Sequence, residues 1–176
     1  MQEKKEEPRW RIEVLGKKHD RTQFSCGNEQ LDQYLKNQTG QDVKKRVTVP
    51  FELCEGEDNI VLGYYTLSNF SVDVGAWPKE VTQKLPRYPM VPVTLLGRLA
   101  ADSRIKGKRA GEYLLMDALH RSLRASREVA SVAVVVDAID GSAVEFYRHY
   151  EFTRFADEPL RLFLPMAVVE KLFGNE

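Results

Sequence analysis

The chain has 176 residues, of which 43% are hydrophobic, and this length and composition suit one domain, residues 1–176, with a sizeable core. Its 26 Lys and Arg residues equal its 26 Asp and Glu residues, so net charge gives no global reason to expect a nucleic acid or an anionic membrane as a partner. No apolar run could span a bilayer, and no secretory signal is evident. We expect a cytoplasmic protein whose highly charged first eight residues are flexible.

The cysteines and histidines exclude two kinds of site. Cys26 and Cys54 do not form the disulfide framework of a small secreted domain. The histidines, at positions 19, 120 and 149, lack the spacing of a zinc site. Cys26 also lacks the Cys–His–Asp set of a nucleophilic thiol. We therefore expect no metal, and a Cys26 side chain that is buried as a small hydrophobic group.

The first part of the chain predicts a strand, a short helix and a hairpin. Residues 10–15 alternate apolar and polar side chains, as a strand does. Asn28 suits the N-cap of a short helix. Residues 46–54 and 59–69 are rich in β-branched and aromatic residues and are separated by the polar turn EGEDN. They predict an antiparallel pair, which residues 70–74 extend.

The middle of the chain predicts a strand–helix–strand unit. Residues 78–85 suit one or two helical turns, and three prolines then lead irregularly into a strand-like run, residues 91–102. Residues 113–127 place Leu and Ala at helical spacing. Residues 131–137, SVAVVVD, suit a strand that is buried on both faces. The two strands of this unit should be parallel.

The last part of the chain predicts a short amphipathic helix at residues 140–150, brief strands at 152–155 and 161–165, and a closing helix at 166–173. Neither an internal repeat nor a linker is evident. This order of elements predicts an α/β or α+β fold around one mixed sheet.

The turn before the long helix, SRIKGKRAGE, has the features of an anion site. The first turn of a helix leaves backbone N–H groups without partners, and these can point at phosphate oxygens. Glycine lets the backbone approach a ligand closely, and Lys106, Lys108 and Arg109 add positive charge. Phosphate binding by Gly107–Gly111 is therefore one interpretation, and a solvated loop is the other. The turn matches neither a P-loop nor a dinucleotide-binding fingerprint.

Two longer segments, LLGRLAADSRIKGKRAGEYLL and VVVDAIDGSAVEFYRHYEF, resemble the GNAT acyltransferase family. Within that family, FSCGNEQLDQYL, VLGYYTLS and the late RLFLPM are similar to the acetyltransferase toxins of toxin–antitoxin pairs. The resemblance covers nearly the whole chain. It implies the GNAT fold: a single mixed sheet of six to seven strands flanked by helices, with a splayed central strand pair.

The resemblance also implies acetyl-CoA as cosubstrate. Main-chain groups of the central strand would bind the pantetheine arm, and the following loop would bind the pyrophosphate. The family motif places Arg104 and Gly107 in this loop, but its third position, normally Gly or Ala, is Arg109. The implied cofactor-binding residues are Leu99, Ala101, Arg104, Lys106, Gly107, Lys108, Arg109, Ala110, Gly111 and Ala138.

Tyr147 matches the family tyrosine that lies near the thioester sulfur. A phenol, with a pKa of about 10, is a suitable acid for a thiolate leaving group. Tyr150 is the other candidate, and from the residues alone a core aromatic of an amphipathic helix is the favoured interpretation of Tyr147. No general base is evident, because Glu145 and His149 are expected to face solvent.

The toxin-like members of the family acetylate the α-amine of an aminoacyl-tRNA and so block translation. Two basic clusters could meet RNA, namely Lys44–Arg46 and the cations from Arg98 to Arg109. The alternatives are acetylation of a small amine or a protein amine, and a non-catalytic acyl-CoA-binding module. The toxin interpretation implies a small DNA-binding antitoxin, a possible homodimer and no membrane partner.

Overall fold

The structure, a computed structural model, describes residues 8–174. The strands are β1 (Trp10–Val14), β2 (Val49–Glu55), β3 (Gly63–Asp73), β4 (Met90–Ala101), β5 (Ala133–Asp137), β6 (Thr153–Phe155) and β7 (Glu158–Pro165). The helices are α1 (Glu29–Asn37), α2 (Thr39–Lys44), α3 (Lys79–Thr82), α4 (Ala110–Ser126), α5 (Gly141–His149) and α6 (Met166–Phe173).

The strands form one seven-stranded mixed sheet in the order β1-β2-β3-β4-β5-β7-β6. β4 pairs with β5 in parallel, as predicted, whereas β5 and β6 both pair with β7 in antiparallel orientation. The β4–β5 ladder runs from Thr94 opposite Val134 to Leu96 opposite Val136. β4 then continues beyond this ladder to Ala101. A strand that extends past its paired residues in this way is expected of the predicted splayed pair.

Two compact units can be distinguished. The first comprises the chain up to Tyr65 together with Leu99–Leu114. Its core is a cluster of buried side chains contributed by the loop before α1, by α1 and by strands: Phe24, Leu31, Tyr34, Leu35, Cys54, Val61, Tyr64 and Ala100. The prediction of one domain over residues 1–176 stays a prediction.

The second unit comprises Thr66–Arg98 and the chain from Leu115 onward. Its aromatic centre is Trp77, whose ring lies edge-on to Phe155 and Phe163, with both centroid distances 4.9 Å. The rest of this core comes mainly from β-branched residues of the strands: Val72, Val91, Val93 and Val135, with Ala133. These residues are spaced two apart within each strand, so they share one face of the sheet.

Most element positions agree with the predictions, and the differences have physical causes. The predicted cap of α1 is present, because the Leu31 N–H donates to Asn28 Oδ1 at 3.1 Å. Helix α2 was not predicted, since TGQDVK has weak helical propensity. Its stability comes from packing: the buried Thr39 hydroxyl donates to the Leu35 carbonyl at 2.8 Å, and the Tyr34 hydroxyl donates to Asp42 at 2.7 Å.

The N-terminal flexibility prediction falls largely on residues 1–7, which lie outside the described chain. Within residues 8–174, no helix is long and apolar enough to cross a membrane.

Candidate functional site

The loop between β4 and α4 brings the predicted anion-binding groups together. A 3-10 turn at Ser103–Ile105 follows the strand, and Gly107 then takes a φ of 82°. Arg109 takes a φ of 61°, the left-handed conformation that favours glycine. The Tyr113 N–H donates to the Arg109 carbonyl at 3.1 Å. The N–H groups of residues 110–112 therefore precede the first helical bond and have no helical acceptor.

A buried carboxylate holds the start of this loop. Asp102 is only 2% exposed. Its Oδ1 accepts the Arg104 N–H at 2.8 Å, and the Arg104 guanidinium donates to both carboxylate oxygens at 2.8 and 2.9 Å. Oδ2 also accepts the Ser25 N–H at 3.0 Å. Burial alone would raise the pKa of Asp102, but the hydrogen bonds from Arg104 and Ser25 outweigh it and lower that pKa.

Asp102 also joins the loop to the segment before α1. The Ser103 N–H donates to the Ser25 carbonyl at 2.9 Å, so Ser25 is bound through both its N–H and its carbonyl. The next residue, Cys26, donates its N–H to Asp32 at 2.9 Å, and Gly27 then turns the chain with a φ of 90°. Ser25–Gly27 is thus fixed against the loop by hydrogen bonds.

Together these segments enclose an open cavity of about 580 Å³, within the size range of small-molecule sites. Of the predicted residues, it is lined by Ala101, Lys106, Gly107, Arg109, Ala110 and Gly111. Residues that the sequence did not indicate complete the lining: Cys26, Gly27, Asp102, Ser103 and Ile105.

Four predicted cofactor-binding residues do not line this cavity. Leu99 is half-buried in β4. Arg104 is engaged by Asp102, and Lys108 is exposed in the turn before α4. Ala138, just after β5, donates its N–H to the Leu160 carbonyl at 2.7 Å, so a cofactor contact by this residue would use its carbonyl.

The start of α4 is positioned by a close approach at Gly63 of β3. A Cβ at Gly63 would lie 3.0 Å from Leu114 Cδ1 and 3.3 Å from the Ala100 carbonyl oxygen, so a larger residue would require these neighbours to move. On α4 itself, the Tyr113 ring packs edge-on to Trp10 of β1, with ring centroids 5.2 Å apart. These contacts fix the helix end whose first residues, Ala110 and Gly111, line the cavity.

Cys26 is partly buried in the wall of the cavity, in surroundings that favour its neutral thiol. Burial, with Asp32 nearby, raises its pKa to about 11. The thiol donates to the Asn28 carbonyl at 3.6 Å. A neutral thiol is a poor nucleophile, which agrees with the expectation that Cys26 is not catalytic.

Tyr147 lies on α5, which begins where the Asp140 side chain accepts the Ala143 N–H at 2.8 Å. The tyrosine is 5% exposed. Its ring centroid lies 5.2 Å from that of Phe146 and 5.4 Å from that of Phe152. Burial, and secondarily the charge of Asp137, raises the pKa of Tyr147 above its usual value. The phenol therefore keeps its proton at neutral pH.

The side chains around Tyr147 differ in exposure. Glu145 and His149 are exposed on the same helix, as predicted, and Tyr150 is half-buried. Asp137, at the end of β5, is paired with Arg161 at 2.7 Å. The described residues 8–174 contain no group of three His, Cys, Asp or Glu side chains that could hold a metal ion.

The two basic clusters that could contact RNA differ in whether their cations are paired with carboxylates. Lys44, Lys45 and Arg46 are exposed at the end of α2. In the second cluster, Arg104 is paired with Asp102 at 2.8 Å, and Arg109 is paired with Glu112. The first cluster is therefore the better candidate for contact with a polyanion.

Comparisons with known proteins agree with this architecture. No family model matches the chain. The chain is 34% identical over 156 residues to the "tRNA-acetylating toxin" of Mycobacterium tuberculosis (strain ATCC 25618 / H37Rv), and the match covers 89% of this chain and 92% of that protein. It is similar to a tyrosine-to-phenylalanine mutant of KacT, with TM-score 0.88 and 31% identity over 94% of this chain and 99% of that one.

A structure of AtaT complexed with acetyl-methionyl-tRNAfMet is also similar, with TM-score 0.86 and 29% identity over 94% of this chain and 99% of that one. The Mycobacterium tuberculosis protein is more than 30% identical to this chain and matches most of it. The solved structures of KacT and AtaT have the same single mixed sheet with flanking helices as this chain. The chain therefore belongs to the family of tRNA-acetylating toxins and has their GNAT fold.

Proposed function

We propose that this protein transfers an acetyl group from acetyl-CoA to the α-amine of an aminoacyl-tRNA and thereby blocks translation. One observation carries the proposal: a chain of this family has a cavity whose lining includes the first residues of α4, Ala110 and Gly111, and two cationic residues, Lys106 and Arg109. Such a surface suits a phosphate-bearing ligand.

The cavity residues fit the coenzyme. Gly107 has open space where a Cβ would stand, so the loop backbone is accessible to a phosphate. The N–H groups at the start of α4 would bind the diphosphate, assisted by the helix dipole. Main-chain groups of Leu99 and Ala101 would bind the pantetheine arm, and the carbonyl of Ala138 would border it. An acetyl-CoA-bound structure of AtaT, 26% identical to this chain, supports the assignment of the ligand.

Bound acetyl-CoA supplies a thioester carbonyl, which the neutral amine attacks. The new C–N bond forms as the C–S bond breaks, and the amine loses a proton to water. Tyr147 donates its phenol proton to the departing sulfur and regains one from solvent. A backbone N–H of β4 would stabilise the negative charge that develops on the carbonyl oxygen.

The raised pKa of Tyr147 has two consequences for this step. It ensures that the proton is present before the reaction, but it also makes the phenol a weaker acid. Desolvation raises the pKa of a thiol as well, so a sulfur released into a dry environment is a stronger base than in water. The proton transfer is therefore favoured when both groups share low-dielectric surroundings.

RNA as the acceptor is supported by AtaT, which has been solved with acetyl-methionyl-tRNAfMet. The exposed Lys44–Arg46 cluster would bind the RNA backbone. Acetylation of a small amine or a protein amine is the second candidate, and the chemistry of the site would serve it equally.

Two partners follow from the family. AtaT has been solved with the C-terminus of its antitoxin AtaR, and KacTA with DNA. We infer that a DNA-binding antitoxin likewise holds this chain inactive, that the protein acts in the cytoplasm where aminoacyl-tRNA is found, and that it forms a homodimer.

Acetyl-CoA turnover separates the candidate functions. CoA release should be fast with aminoacyl-tRNA, slow with the same tRNA after deacylation, and slow with polyamines or lysine peptides. Turnover that is equally fast with a lysine peptide would contradict the tRNA assignment. Acetyl-CoA binding without turnover on any acceptor would instead indicate a non-catalytic module.

A further inference from the structure

Arg109 is a cationic residue in a backbone conformation that favours glycine. Its φ of 61° costs a residue with a Cβ about 1 kcal/mol or more. It also occupies the motif position at which the GNAT family normally has Gly or Ala. A strained residue beside a ligand cavity indicates that its side chain has a role there.

The guanidinium of Arg109 can readily exchange its partner. The side chain is 79% exposed and pairs with Glu112 in the first turn of α4. An exposed pair of this kind contributes only about 0–1 kcal/mol. Bidentate hydrogen bonds from a guanidinium to a phosphate are stronger than most neutral ones, so a phosphate entering the cavity can displace the Glu112 carboxylate.

The other loop cations are less suited to this contact. Arg104 is held by both oxygens of Asp102. Lys108 does not line the cavity, whereas Lys106 and Arg109 do. Lysine offers a single point charge, and arginine offers a planar fork that matches two oxygens of one phosphate. Arg109 is therefore the cavity residue best suited to a terminal phosphate dianion.

We propose that Arg109 binds the 3′-phosphate of the coenzyme's ribose and so selects acetyl-CoA over its 3′-dephospho form. This inference rests on the proposed function, in which the N–H groups at the start of α4 bind the diphosphate. The diphosphate then leaves one phosphate group of the coenzyme without a partner. The Arg109 guanidinium, at the same cavity, is the partner of that phosphate. Binding of the phosphate offsets the backbone strain at residue 109.

Calorimetric titration of the full chain tests the proposal, with acetyl-CoA and acetyl-3′-dephospho-CoA as ligands. The unmodified protein should bind acetyl-CoA about tenfold more tightly than the dephospho form, as loss of a charge-assisted hydrogen bond predicts. Arg109→Gly, which suits the positive φ, should bind the two ligands with similar affinity. Arg109→Lys should retain an intermediate preference.

Arg127→Gly is the matched control, because it removes an equal charge from an exposed turn after α4. It should retain the full preference for the 3′-phosphate. The proposal is overturned if Arg109→Gly keeps that preference or if the unmodified protein has none.

Two other outcomes also contradict it in recognisable ways. A raised KM for aminoacyl-tRNA in Arg109→Gly, with the 3′-phosphate preference intact, would assign the guanidinium to RNA. Unmodified protein that binds neither coenzyme would overturn the proposed function itself, and the role of Arg109 with it.

Discussion

The cavity loop and the surroundings of Tyr147 are stabilised in different ways and differ in their exposure to water. The loop is held by hydrogen bonds to the buried Asp102 carboxylate, the first N–H groups of α4 have no helical acceptor, and Lys106 and Arg109 are exposed. Tyr147 is held by ring packing against Phe146 and Phe152, with almost no exposure. Binding a polyanion requires polar groups that can be reached from water, whereas the buried phenol is shielded from water and its pKa is raised by that burial.

The largest expected effect comes from Tyr147→Phe, which removes the proton donor and keeps the ring packing. We expect kcat to fall about 100-fold or more, the usual contribution of a general acid, while the Kd for acetyl-CoA stays unchanged. Stopped assays of CoA release and calorimetry measure the two quantities. Tyr150→Phe is the matched control and should retain turnover; the reverse pattern would transfer the acid role to Tyr150.

Within residues 8–174, a second buried carboxylate, that of Glu52, lacks the hydrogen bonds that Asp102 accepts. Glu52 of β2 is fully buried opposite Glu13 of β1. Its Oε2 lies 3.0 Å from His19 Nδ1, yet the described residues give neither carboxylate oxygen of Glu52 a hydrogen bond. Desolvation raises the pKa of Glu52 from 4.5 to about 7, opposite in direction to Asp102.

The raised pKa fixes the sign of a pH effect at Glu52. Between pH 4.5 and 7 the unfolded chain releases this proton and the folded chain keeps it, so stability falls as pH rises through that window. Glu52→Gln should remove about 3 kcal/mol of this pH dependence, as the shift predicts. Urea unfolding at pH 4.5 and 7.5 measures it, and an unchanged difference between the two pH values would refute the assignment.

Asp102→Asn should have a smaller effect, with the opposite pH dependence. It weakens charge-assisted hydrogen bonds, so we expect a loss of about 2 kcal/mol at pH 7 and a raised Kd for acetyl-CoA as the loop loosens. The lowered pKa of Asp102 means that its contribution is present above the usual pKa of an Asp and is lost as pH falls.

Glu145→Gln provides the control for Asp102→Asn, because it breaks an exposed pair with Arg148. This control should change stability little. If Asp102→Asn were as mild as Glu145→Gln at pH 7, the buried carboxylate would not be what holds the loop.

The smallest effect is expected at Arg109. Replacing it with glycine relieves the positive φ, and we expect stability to rise by about 1 kcal/mol. Thermal unfolding without ligand measures this change. A loss of stability would mean that the exposed pair with Glu112 outweighs the backbone strain.

The part of the site that is local in sequence could be predicted, and the part that depends on tertiary contacts could not. A strand, two glycines and a helix start within one segment indicated an anion site at Gly107–Gly111, and the family resemblance added Ala101 and Lys106, which line the cavity. The wall at Cys26 and Gly27 comes from a distant segment that is joined to the loop by the hydrogen bond from Ser25 to Asp102, and no spacing in the sequence indicates that hydrogen bond. Helix α2 was missed for a related reason, since the contacts of Thr39 and Tyr34 stabilise it despite weak propensity.

The most direct test is mass spectrometry of the amino acid released from aminoacyl-tRNA after incubation with acetyl-CoA and either the unmodified protein or Tyr147→Phe. We predict that the unmodified protein adds one acetyl group to the α-amine and that the variant leaves nearly all of it free. An unmodified amino acid in both reactions, in the presence of protein that binds acetyl-CoA, would contradict the account.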